Sequence, residues 1–327
     1  MRVIDFALGW PVEGDNDFFI NVLKAECRAR RLSFAVIYES ALGKLTSLIT
    51  KDKVKISFFL DMASETFNPK DSFTKFIYCL KDSETKVVAD PDYVKFSADK
   101  SITHFNLARA KISVPFTVII RNWEPTRRLT KDEKKGLGFP FVVKPALGYG
   151  QKGVKIIKQK FCLKEIAEAR QFNPGDNFLL QEFIEPPLLN GTMGWFRVFY
   201  LFGEIFPCWW NAKTNVFRQV TLREYEAYKL APMARIATEI AKITGIEWFS
   251  CEIAINEKTR KCVVIDYMND QCAVYPQSQH KDGIPDDLIV LICRRMVQKA
   301  WEYIKGNFVL PCRAVWFPSV KLKDEDS

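Results

Sequence analysis

Residues 139–158 read FPFVVKPALGYGQKGVKIIK. An apolar run, Phe141, Val142 and Val143, leads into Lys144, and a second one, Val154, Ile156 and Ile157, follows a loop containing Gly148, Gly150 and Gly153. Two short β-type runs joined by a glycine-rich loop predict a hairpin. Glycines let main-chain N–H groups approach an anion, and a lysine at the end of the preceding strand adds a fixed positive charge. The three glycines exceed what a tight turn needs, so the loop reads as a cradle for polyphosphate. No helix opening with Lys-Ser/Thr follows, which separates the stretch from a P-loop.

Outward from this hairpin, 327 residues are too many for one small core, and two or three subdomains are expected. No apolar run of about 18 residues predicts a membrane span, and the N-terminus MRVIDFALGW reads as a first strand and not a signal peptide. Nine cysteines include no CxxC pair, which suits reduced, mostly buried thiols in a cytoplasmic protein. With only His104 and His280 present, a zinc site or a histidine triad is not expected. The net charge of +9 is dispersed and suits anionic ligands, with no nucleic-acid motif behind it.

Strands over 2–8, 33–38 and 55–60 alternate with helices, the first capped by Asp15 or Asn16 and the second over 41–50. This pattern predicts a parallel sheet in a compact α/β domain, without a GxGxxG fingerprint. Next come a short strand at 86–89, a helix over 92–110, a strand in VPFTVII and a charged connector over 121–138 with a short helix. Beyond the hairpin, a helix over 161–172 and a strand over 177–184 lead to Pro186–Pro187. Residues 195–210 read as two strands turning at Phe202–Gly203–Glu204, followed by a long helix over 221–244. A hairpin of 247–256 and 261–268 and a helix over 286–305 complete the chain.

From residue 99 onward this order resembles the ATP-grasp superfamily, in particular the ribosomal-protein-modifying glutamate ligases, D-alanine–D-alanine ligases and glutathione synthetases. The likeness rests on an ordered set: Asp99–Lys100, a helix and Ile112–Ser113–Val114–Pro115–Phe116–Thr117; then FVVKPALGYGQKGV; then Gln181–Glu182–Phe183–Ile184; then Phe196–Arg197–Val198–Phe199 and Phe217–Arg218. It implies an ATP-grasp fold, α/β overall and α+β in the nucleotide unit. The expected divisions are an N-terminal parallel-sheet domain over 1–98, a linker helix and lid over 99–185 and a catalytic subdomain over 186–327.

The resemblance further implies that Lys100 and Lys144 neutralise phosphates, with Gly148, Tyr149, Gly150, Gln151, Gly153 and Val154 closing over them. Adenine would meet the backbone of Gln181, Glu182, Phe183 and Ile184, and Glu185, or else Glu182, the ribose. Arg197 would hold the transferred phosphate; Arg218 would assist, or reads equally as a loop arginine. Mg²⁺, or Mn²⁺, would be held by Glu252, Asp266 and Asn269. The family spaces the last two as Glu-x-Asn, whereas here Asn269 is three residues after Asp266. On a regular strand the two point to opposite faces. Either a bulge realigns them, or Tyr267 occupies the carboxylate position and Asp270 substitutes. Ser250 replaces an arginine common in the family.

The expected reaction joins a small-molecule or peptide carboxylate to an amine through an acyl phosphate, with no nucleic acid or membrane involved and a homodimer left open. The alternatives are a small-molecule kinase of the same fold, like the inositol polyphosphate kinases, and a nucleotide-binding module without turnover.

Overall fold

The computed structural model describes residues 1–124, 127–147, 152–160, 166–168, 170, 175–308 and 314–318. At the N-terminus, β1 (Arg2–Gly9), β2 (Phe34–Ile37), β3 (Val54–Asp61) and β4 (Lys86–Val88) form a parallel sheet in the order β2–β1–β3–β4. Its inner strands are apolar on both faces because helices cover both. Phe6, Leu8, Phe58 and Leu60 meet α1 (Asp17–Ala29), which Asn16 caps by accepting from the Phe19 N–H. Ala7, Ile56 and Phe59 meet α2 (Leu42–Ile49) and α3 (Ser72–Asp82). Helix α3 has no counterpart in the sequence reading; it provides the crossover between β3 and β4.

The helix expected over 92–110 is two, α4 (Pro91–Ser97) and α5 (Lys100–Arg109). Asp99 interrupts it by capping a new helix, its carboxylate accepting from the N–H groups of Ser101 and Ile102.

A second, antiparallel sheet contains β5 (Thr117–Ile120), β6 (Phe141–Pro145), β7 (Lys155–Ile157) and β8 (Phe178–Glu182), in the order β5–β8–β6–β7. Strands β6 and β7 are the hairpin of residues 139–158, with Val143 opposite Lys155. Phe141, Val143, Leu180 and Leu137 of α6 (Lys131–Leu137) form its core. The helix expected over 161–172 falls largely outside the described residues.

A small hairpin, β9 (Leu188–Leu189) and β10 (Thr192–Met193), precedes the third sheet. That sheet runs β13–β12–β11–β14–β15, from β11 (Trp195–Leu201), β12 (Glu204–Trp210), β13 (Phe217–Gln219), β14 (Trp248–Ile255) and β15 (Cys262–Asn269). A short β16 (Ala314–Val315) pairs with β12. The helix expected over 221–244 divides into α7 (Leu222–Ala227) and α8 (Ala231–Thr244), the second starting with Pro232 in its first turn.

Strand alternation gives this sheet two distinct faces. Phe196, Val198, Phe249, Cys251 and Ile253 pack on α8. On the other face, Phe199, Leu201, Phe206 and Trp248 share one core with α9 (Asp286–Ile304) and with Phe58 and Leu60 of the N-terminal sheet. Trp195, Arg197, Trp210, Glu252 and Asp266 lie outside that core, at the polar end of the same face.

Candidate nucleotide and metal site

The pairing of β14 with β15 is irregular where the site is built. Ile253 stands opposite Val264, Glu252 opposite Asp266 and Ser250 opposite Asn269. Three positions lead from Ser250 to Ile253, while five lead from Val264 to Asn269, so β15 carries two extra residues there, one at each of two register shifts. Such bulges re-aim side chains. They place Asp266 and Asn269 on the face of Glu252 and Ser250 despite their odd spacing. Tyr267 joins the opposite, helix-covered face.

Arg197 lies opposite Glu252 across β11 and β14. Its Nη2 donates to a Glu252 carboxylate oxygen and its Nη1 to Ser250 Oγ at 3.3 Å. Its guanidinium stands 4.6 Å from the centre of the Trp210 ring. Ser250 thus accepts from the arginine of the neighbouring strand. Burial pushes the Glu252 carboxyl above the ordinary carboxylate range, with Arg197 opposing and Asp266 reinforcing the rise. Asp266 Oδ1 is buried and has no hydrogen-bond partner, as is Arg197 Nε.

Lys144 enters from the other sheet. Its Nζ donates to the Ile265 carbonyl oxygen at 2.7 Å and stands 5.3 Å from the centre of the Tyr267 ring. Burial, with the nearby Lys100 charge, lowers its pKa to about 8, while Asp266 and Glu252 resist the fall. Lys100, at the first turn of α5, is anchored by its main-chain N–H on Ala146 O at 3.0 Å. Residues Gly148, Tyr149, Gly150 and Gln151 lie outside the described residues. At the loop's edges, Leu147 N donates to Asp176 Oδ2 at 2.7 Å, Gly153 takes φ +75°, and Val154 is exposed.

The hinge residues are differently placed. Gln181 is buried, and its Nε2 donates to Tyr267 Oη at 2.7 Å and to Thr117 Oγ1 at 3.1 Å. Glu182 turns its carboxylate onto the Phe116 N–H at 3.3 Å. Phe183 is half-buried, Ile184 packs against Ala254 and Val263, and Glu185 is exposed, its carbonyl accepting from Glu257 N at 2.9 Å. Arg218 is not brought to this group. It stands opposite Trp209, on the helix-covered face, where Glu224 holds its guanidinium by two bonds of 2.7 and 3.0 Å.

Three features of the site are missing from the sequence reading. His104 Nδ1 lies 2.6 Å from Tyr267 Oη. Burial, aided by the Lys144 charge, lowers its pKa to about 4, so the ring is neutral. Gln181 donates to the phenol, hence the phenol donates to His104 Nδ1, and β15, β8 and α5 are tied at one oxygen. Third, Asp61 ends β3, beside the point where the parallel order reverses, and accepts from the N–H groups of Ala63 and Ser64 at 3.0 Å each. Burial, reinforced by Asp270, raises its pKa to about 6 despite these bonds. Gln271 Nε2 donates to Ser64 O at 2.5 Å and connects that turn to the end of β15.

Among the described residues no group of three or more His, Cys, Asp and Glu is placed to hold a metal. Glu252, Asp266 and Asn269 offer two carboxylates and an amide oxygen, hard donors that suit Mg²⁺ or Mn²⁺ and leave positions for phosphate oxygens and water. The unpartnered Asp266 Oδ1 is an acceptor such an ion would satisfy, so the set fits.

No protein-family model and no curated protein matches the chain. Solved structures do. An ATP-grasp RimK domain protein from Sphaerobacter thermophilus is 16% identical, with a TM-score of 0.59 over 90% of this chain and 99% of that one. D-alanine–D-alanine ligase from Bacillus anthracis, complexed with ATP, is 16% identical, with a TM-score of 0.58 over 94% and 99%. The ATP-grasp ligase PsnB, complexed with a precursor peptide and AMPPNP, is 12% identical, with a TM-score of 0.59 over 92% and 98%. Aligned over 90–94% of its length with these structures at TM-scores of 0.58–0.59, the chain has the ATP-grasp fold.

Proposed function

We propose that the chain is an ATP- and Mg²⁺-dependent carboxylate–amine ligase working through an acyl phosphate. The observation that carries this reading is the Lys144 ammonium, brought from the glycine-loop hairpin onto the Ile265 carbonyl beside Glu252 and Asp266. A cation beside two buried carboxylates is an arrangement for metal-bound polyphosphate. Glu252, Asp266 and Asn269 would hold the ion, which would neutralise charge on the β- and γ-phosphates. Lys144 and Lys100 would hold the non-transferred phosphates, and the loop from Gly148 to Gly153, with Val154, would exclude water. Residues 181–184 would meet adenine, and Glu185, exposed and free of a side-chain partner among the described residues, suits the ribose better than Glu182.

Arg197 would then exchange Glu252 for the transferred phosphate. A substrate carboxylate attacks the γ-phosphorus, ADP leaves, and an amine displaces phosphate to form the amide. Positioning and charge carry the catalysis, and no enzyme nucleophile is needed. The neighbour structures with ATP, and with AMPPNP and a peptide, support nucleotide binding and leave both small-molecule and peptide carboxylates in view. The test is ADP and phosphate release from ATP and Mg²⁺ across paired carboxylates and amines. Release that needs only one substrate and leaves a stable phosphorylated product would make the protein a kinase instead. The Arg197–Glu252 ion pair favours a second reading, a nucleotide-binding module without turnover, because it occupies a metal-ligand carboxylate. Tight ATP binding with no ADP formed across the whole panel would establish that reading.

A further inference from the structure

A separate cavity lies away from this site. It holds about 570 Å³ on the helix-covered face of the third sheet, between the α7–α8 junction, the β14–β15 turn and the segment around Ile112. Its floor is apolar, with Ile112, Ile236, Ile255 and Cys262 all buried. Its rim carries Lys111, Lys229, Arg235, Arg260 and Lys261, and no aspartate or glutamate among the described residues lines it. Only Arg260 has an ion-pair partner among the described residues, Glu257 on the same turn at 3.2 Å. Beside the cavity the β9–β10 hairpin exposes Leu188 and Met193. None of these groups is among those named for the nucleotide site, whose Arg197, Glu252 and Asp266 lie on the other face of the sheet.

We propose that this cavity docks an acidic peptide segment of a partner polypeptide, with an apolar side chain of the peptide on the floor. Five cations without lining acids set the sign of the partner. Their arrangement sets its kind. All five side chains are exposed and stand around a rim on four separate segments, Arg260 and Lys261 sharing the β14–β15 turn. A small polyanion is held by donors converging on one point, whereas carboxylates distributed along a chain match separated rim charges. The apolar floor and the exposed Leu188 and Met193 give a peptide contact area that a free phosphate compound cannot use. The proposal does not depend on the reaction at the nucleotide site; should the substrate be a polypeptide, this surface would grip it away from the bond being formed.

The test is fluorescence anisotropy with a rhodamine-labelled peptide of glutamates interrupted by leucines. Binding that weakens with added salt, and weakens about tenfold further in the Lys229→Glu/Arg235→Glu double variant, is expected. The same charge change on α1, Lys24→Glu/Arg28→Glu, should leave it within about twofold. An unchanged melting temperature in both variants excludes misfolding as the cause. Equal binding of an all-glutamate peptide, displacement by equimolar inorganic triphosphate, or indifference to the Lys229/Arg235 reversal would overturn the proposal. So would a dimer in sedimentation that the reversal abolishes, which would assign the cavity to a second copy of the chain.

Discussion

Lys144 Nζ, on the hairpin sheet, is hydrogen-bonded to the carbonyl oxygen of Ile265, on the carboxylate-bearing strand, across 2.7 Å and 121 residues of sequence. The contact places one buried cation beside Glu252 and Asp266 with no ligand needed to recruit it. A site assembled in this way is preorganised, and its individual groups can be removed one at a time.

Lys144→Ala is expected to lower kcat/KM for ATP by roughly two orders of magnitude, about 3 kcal/mol of lost electrostatic stabilisation. The pH profile gives the sharper check. With its pKa depressed to about 8 by burial and by Lys100, Lys144 is charged below that pH and neutral above it, so kcat/KM for ATP should fall as pH rises through about 8. Lys144→Arg should lose that limb, because a guanidinium stays charged. A profile identical in wild type and Lys144→Arg would remove the lysine from phosphate binding.

Glu252→Gln and Asp266→Asn should both abolish Mg²⁺-dependent ADP release yet differ in stability. Glu252→Gln leaves the Arg197 guanidinium buried without its partner, at a cost of about 3 kcal/mol. Asp266→Asn removes an acceptor that has no donor and should change stability by less than about 1 kcal/mol. Chemical denaturation of the two variants, with and without Mg²⁺ and ATP, checks both signs.

Tyr267→Phe removes the oxygen that Gln181 and His104 share. The Gln181 amide and the His104 ring lose a buried partner, for a loss of about 1–3 kcal/mol. Because the phenol ties the hinge strand to the bulged strand, KM for ATP should rise more than kcat falls. Steady-state kinetics would reject this if only kcat changed.

His104 makes stability depend on pH. Its folded pKa, near 4, lies below the unfolded value of 6.5, so the unfolded chain binds the proton first as pH falls. Stability should therefore drop between about pH 6.5 and pH 4, by at most about 3 kcal/mol. His104→Asn should flatten that part of the curve in urea titrations.

Arg218→Ala should leave ATP turnover within about twofold of wild type and cost less than about 1 kcal/mol, since an exposed guanidinium on the far face pairs with Glu224 of the α7 cap and lies over the Trp209 ring. A large loss of kcat would mean the guanidinium reaches the site after a rearrangement.

Much of this site is visible in the chain before folding. Lys144 between an apolar strand and glycines, Arg197 inside PheArgValPhe and Glu252 inside an apolar strand each place a charge where burial would be costly without a purpose. The stripe Phe73, Phe76, Ile77 and Leu80 likewise marks α3 at helical spacing, although the reading of the sequence lacks that helix. Arg218 shows the limit of such inference. A Phe-Arg pair has no handedness until its strand pairs, and the register with Trp209 turns the arginine to the other face.

The sequence by itself determined the order of elements, the apolar faces and the charged residues set within them, because these follow from local periodicity and from the cost of burying charge. It left open whether Asp266 and Asn269 could act together, since side-chain direction on β15 depends on its partner. Only the tertiary structure decided that: pairing with Ser250, Glu252 and Ile253 forces two extra residues into β15 and turns both groups to one face. The same holds for Lys144 and Ile265, for His104, Tyr267 and Gln181, and for the basic rim around Arg235. Each is a meeting of distant segments, fixed by how sheets and helices pack and encoded in no local pattern.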